Sequence, residues 1–121
     1  MNAEEIATFL IFLMEENGLP IDSKSRMRTY IYHALNEKRI KFIEENGVQI
    51  GFMMWEEHKK CDEIHIYVSQ LVILPIYTGY NLKKLASFLK EKYKISNRQI
   101  HWRNSKRDKQ VDFNKKEVIY G

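Results

Sequence analysis

A chain of 121 residues, 44% hydrophobic and 30% charged, has the profile of one globular domain over 1–121 that can bury a core without staples. The single cysteine, Cys61, excludes an internal disulfide framework, and the apolar run from Ile6 to Met14 is too short for a bilayer and lacks the basic start of a secretory signal. These features lead us to expect a soluble cytoplasmic protein with no membrane partner. The formal charge of +4 is uneven: residues 1–80 carry 8 Lys+Arg against 12 Asp+Glu, and residues 81–121 carry 12 against 4. The basic part suits a polyanion, a cofactor's phosphates or an acidic protein.

Asn2 followed by Glu5 predicts a helix N-cap with a capping-box partner. Ile6, Phe9, Leu10, Leu13 and Met14 then form a core-facing stripe, and Asn17-Gly18 with Pro20 beyond is a stop signal. A second helix is expected from Asp22 or Ser23 to Asn36, with Met27, Tyr30, Ile31, Ala34 and Leu35 inward and Arg26, Arg28 and His33 outward. From Arg39 the period becomes two: Ile40 and Phe42, then Val48, Ile50, Phe52 and Met54, around Asn46-Gly47. That dipeptide between alternating apolar residues predicts a hairpin, because both positions of a type I′ turn need positive φ.

Gly51, Met53 and Trp55 fall on the opposite face, so the second strand should be buried on both sides. Glu56 to Glu63 is polar and reads as turn-like. Ile64 to Leu74 predicts a long strand, alternating at first and continuously apolar from Leu71. Pro75 cannot donate to a ladder, so the strand should splay from its neighbour there. Leu82, Leu85, Ala86, Leu89 and Tyr93 mark one face of a helix broken at Ser96-Asn97. Gln99 to Arg103 is a short strand, Asn104 to Lys116 a polar helix or loop, and Val118-Ile119-Tyr120 is available as a terminal strand. The strand, turn and helix start between Leu71 and Leu85 would converge unpaired backbone N–H groups into a natural anion site.

Two helices, a three-strand meander and a strand–turn–helix crossing to a further strand resemble the GNAT (Gcn5-related N-acetyltransferase) fold. This is an α+β class with α/β/α layers and a mostly antiparallel mixed sheet. Ile50-Gly51-Phe52-Met53-Met54-Trp55 looks like that family's third strand. The segment from Val72 to Leu82 resembles its strand and cofactor loop, with Pro75, Tyr77 and Gly79 kept. Thr78 stands where the family has Arg or Gln, and Asn81 and Lys83 replace glycines.

The resemblance implies that backbone N–H groups of Tyr77, Thr78, Gly79, Tyr80, Asn81, Leu82 and Lys83 hold the pyrophosphate of acetyl-CoA or another acyl-CoA. It also implies that Leu71, Val72, Ile73 and Leu74 pair with the pantetheine arm, and it puts Asn104 at the end of the following strand in the same cofactor set. Asn81 tolerates left-handed backbone, whereas Lys83 would either crowd the phosphates or donate charge to them. Glu63 and His65 are the general-base candidates by position. An unidentified amine would enter beside the first two helices and attack the thioester, with a strand amide polarising the carbonyl. The family's tyrosine near its last helix has only Phe113 in its place, with Tyr120 further along. This departure and the altered loop also resemble acetyltransferase-like proteins of some viruses. They imply an alternative: a binding or structural protein using its basic C-terminal region for nucleic acid or a protein.

His58, Cys61 and His65 are residue types that suit zinc, but extended spacing scatters them and no fourth ligand is obvious, so they read as a loop with one thiol. His101 to Lys109 mixes an aromatic with basic residues, which suits single-stranded nucleic acid, against a reading of Trp102 as core in a solvated segment. No Walker loop, metalloprotease helix or nucleophile elbow is present, which disfavours a nucleoside-triphosphate enzyme or a classical hydrolase.

Overall fold

The structure, a computed structural model, describes residues 1–74, 77, 80, 82–104 and 109–112. Helix α1 (Ala3–Glu16) starts at the expected capping box: the Glu5 N–H donates to Asn2 Oδ1 at 2.8 Å, and the Asn2 N–H to the Glu5 carboxylate at 3.1 Å. It ends at Asn17, with Gly18 at φ +71. Helix α2 (Lys24–Asn36) is capped by Ser23, whose Oγ accepts from the Arg26 N–H at 3.2 Å. His33 is exposed as expected, but Arg28 is half-buried because its guanidinium crosses to α1 and donates to Thr8 Oγ1 at 3.1 Å.

Strands β1 (Ile40–Glu45) and β2 (Val48–Lys60) meet at Asn46-Gly47, both at positive φ (52° and 79°). The polar segment expected as a connection is instead strand. β2 runs on to Lys60, turns through Cys61 and Asp62 at φ 51° and 65°, and returns as β3 (Glu63–Ile73). Cross-strand pairs from Glu56↔Tyr67 to Lys60↔Glu63 satisfy the backbone groups that face β3. An antiparallel ribbon needs no buried face to do so.

The sheet order is β1-β2-β3-β4-β5, where β4 (Ile100–Asn104) lies parallel to β3 and β5 (Lys109–Asp112) antiparallel to β4. β5 occupies part of the segment expected as helix or loop. Phe113 and the expected strand at 118–120 lie outside the described residues. Helix α3 (Lys83–Tyr93) makes the crossover between β3 and β4 and is followed by a 3-10 turn, Asn97–Gln99.

The sheet separates two cores. On one face α1 and α2 bury Leu10, Met14, Ile31 and Ala34 against Phe52, Met54 and Val72. On the other, α3 buries Leu85, Ala86 and Leu89 against Met53, Trp55, Ile66, Val68 and Trp102. β2 is thus buried on both sides from Ile50 to Trp55, as its apolar run demands. Simple alternation would group Ile50 with Phe52, yet Ile50 packs on the α3 side. The β1–β2 register shifts between Ile43 and Glu44, leaving Ile50 as the extra residue that flips the face.

Candidate active site

The β3–β4 seam is where strand pairing becomes one-sided. β3 pairs with β2 through to Ile73, but with β4 only at Ile66↔Ile100, Tyr67↔His101 and Val68↔Trp102. From Ser69 onward the β4-facing edge of β3 has no strand partner among the described residues. The parting begins upstream of Pro75, at a register shift that leaves Ser69 as the extra residue between Val68 and Gln70. A bulge increases local twist, and this one turns β3 away from β4.

Leu71 and Ile73 pack toward α3, and Val72 is buried toward α1 and α2. Leu74 continues the contact with β2, its N–H donating to the Ile50 carbonyl at 2.8 Å. The Tyr77 N–H donates to the Leu74 carbonyl (2.9 Å) and the Tyr80 N–H to the Tyr77 carbonyl (3.1 Å). Both tyrosine rings and Leu82 rest on the α3-side core. Leu82 is the N-cap of α3, with no side-chain cap and no acidic residue in the first turn. Lys83 is exposed at that turn. Thr78, Gly79 and Asn81 lie outside the described residues. Asn104 ends β4, its backbone paired with Lys109.

Glu63, His65 and Tyr67 alternate on the same β3 face, at the end of the sheet. His65 Nδ1 lies 2.9 Å from His101 Nε2 on β4, and Glu63 Oε2 lies 3.5 Å from His65 Nε2. Tyr67 stacks on His101 with ring centroids 4.4 Å apart. Arg98 grips Glu63 with two hydrogen bonds and holds its carboxyl below the usual carboxylate range. The parallel pairing of β3 with β4 therefore brings the two sequence candidates together with His101, which spacing did not connect to them. His58 sits directly opposite His65, and Cys61 is exposed in the turn. Among the described residues no group of His, Cys, Asp and Glu could hold a metal ion.

Two further groups stand at the parting. The Tyr30 hydroxyl from α2 hydrogen-bonds Ser69 Oγ, which also donates to the Met54 carbonyl at 3.3 Å. Burial, with Glu56 adding, pushes the Tyr30 phenol above the ordinary tyrosine range, while Ser69 and Arg39 pull it back. In the sequence Tyr30 is one more residue of an apolar stripe. No local signal marks it, because its partner is contributed by a strand bulge.

No family model matches the chain, and no curated protein matches it. Solved structures do. One from Clostridium acetobutylicum, described as a predicted acetyltransferase with acetyl-CoA, aligns over 100% of this chain and 88% of its own, with a TM-score of 0.64 at 14% identity. The NatB acetyltransferase complex bound to a bisubstrate inhibitor aligns over 84% of this chain and 59% of its own, with a TM-score of 0.52 at 15% identity. This chain has the GNAT fold. The basic segment considered for nucleic acid falls within the GNAT-fold sheet at His101 to Asn104, where Trp102 is buried, while residues 105–108 lie outside the described residues. Among the described residues no helix is long and apolar enough to cross a membrane.

Proposed function

We propose that this protein is an acyl-CoA-dependent N-acyltransferase, and the observation that carries the reading is the one-sided pairing of β3 beyond Val68. The edge from Ser69 to Ile73, without a strand partner among the described residues, offers backbone donors and acceptors that fit the amide groups of a pantetheine arm. The start of α3, uncapped by a side chain and carrying Lys83 and Lys84, fits phosphate. When bound, acyl-CoA supplies the activated thioester. Tyr30 keeps its proton at neutral pH, and Ser69 holds its hydroxyl at the mouth of the parting, where it is a proton donor. Arg98 keeps Glu63 ionised, which suits Glu63 to orient His65 rather than to act as base itself. The His65–His101 pair is then the group able to take a proton from an incoming ammonium and share it across 2.9 Å.

Thermal shift and calorimetry with acetyl-CoA, coenzyme A and a phosphate-only control test this reading. At about 1 mM ligand both CoA species should raise the unfolding temperature, and the control should not. No shift with either CoA species would sink the proposal. With binding established and acyl transfer to an amine panel measured, Tyr30→Phe should lower kcat by about tenfold to a hundredfold with little change in KM.

A further inference from the structure

β2 continues past the start of β1. β1 begins at Ile40, paired with Met54, so from Glu56 to Lys60 the β1-side edge of β2 has no strand partner among the described residues. The orientation of that edge follows from Trp55. Its N–H donates to the Arg39 carbonyl at 3.1 Å and its carbonyl accepts from the Arg39 guanidinium, so both backbone groups point toward the β1 side. The β2–β3 register is regular from Trp55 to Lys60. With a period of two, Glu57 and Lys59 present their N–H and C=O to the open edge as well.

The side chains on this edge read Glu56-Glu57-His58-Lys59-Lys60, and from Glu57 to Lys60 they are exposed. This order is antisymmetric in charge about His58. We propose that the edge pairs with the same edge of a second copy, antiparallel, across a two-fold axis through His58. In that register Glu57 faces Lys59 of the second copy, and the two form a hydrogen-bonded pair on each side of the axis. Glu56 faces Lys60 of the second copy one step further out. Shifting the axis to Glu57 or to Lys59 keeps the backbone in phase but sets Glu57 against Glu57 or Lys59 against Lys59, so the charges select one register. The new ladder stops short of Trp55, whose outward backbone groups are already held by Arg39, so the Cys61-Asp62 turn of the second copy bends out of the sheet beside Arg39. An open cleft of about 520 Å³, lined by Tyr30, His33, Glu37, Arg39, Glu56 and Glu57, adjoins that point. Unpaired strand edges template such additions, and a two-fold closes the assembly at two copies.

Sedimentation equilibrium of the full chain, up to about 0.5 mM because an edge contact is small, tests the proposal. A monomer–dimer equilibrium that weakens with salt is expected. Lys59→Glu should raise the dissociation constant at least about tenfold, since it turns two attractive pairs repulsive. The double change Glu57→Lys with Lys59→Glu, which restores the antisymmetry, should recover dimerisation. Far-UV circular dichroism confirms that the exposed variants stay folded. A single-copy mass throughout, assembly beyond two copies, a Lys59→Glu dimer as tight as the parent, or no recovery in the double variant would each overturn it.

Discussion

Gly51 has a negative φ and no turn to serve, yet its missing side chain is structural. A Cβ built there would lie 1.9 Å from the Val72 carbonyl oxygen, which belongs to the paired backbone of β3. That oxygen can retreat only by breaking the ladder that pairs β3 with β2. Gly51→Ala should therefore cost about 1–3 kcal/mol or more, read as a lower midpoint of urea unfolding. An unchanged midpoint would mean that β2 and β3 can part without cost at this level. The tight β2–β3 approach thus stiffens β3 on one side, while beyond Val68 its other edge has no strand partner among the described residues.

At the scale of elements, the helices and the parting strands are stabilised differently. α1 is set by its own ends: removing the Asn2 cap with Asn2→Ala should cost about 1 kcal/mol. Hydrogen exchange should show that loss in the first turn of α1 and leave the amides of β2 and β3 protected. The β3–β4 pair depends on three register pairs and on the side chains clamped across it, His65 with His101 and Glu63 with Arg98. Both the stability of that seam and the chemistry proposed for it rest on the same few residues.

At the scale of the molecule, three tyrosines among the described residues couple stability to pH in one direction. Burial is the main cause that pushes Tyr30, Tyr80 and Tyr93 above the ordinary value of 10.0, and Tyr93 also accepts a hydrogen bond from Trp55 Nε1 at 2.8 Å. The fold favours the neutral phenol. Its stabilising contribution is therefore complete below 10.0 and is lost as pH rises through the higher folded values. Denaturant midpoints followed by circular dichroism should hold from neutral pH to about 10 and fall beyond it. Glu63 acts in the opposite sense, losing its small contribution as pH falls, and its exposure to solvent keeps that loss minor.

The features legible without the structure are those decided within a few residues. The Asn2–Glu5 box, the positive-φ turn at Asn46-Gly47, the two-sided burial of β2 and the apolar face of α3 each follow from spacing or local backbone preference. What the tertiary structure alone decided is where those pieces come into register. The bulges at Ile50 and Ser69 change which face a residue occupies, and no residue type announces them. The polar half of β2 is a strand because β3 pairs with it, although its composition favours a loop. Pairing energies between distant segments differ little from one register to the next. Only the packing of both cores at once selects the register that separates β3 from β4, sets His65 beside His101 and places Tyr30 at the opening.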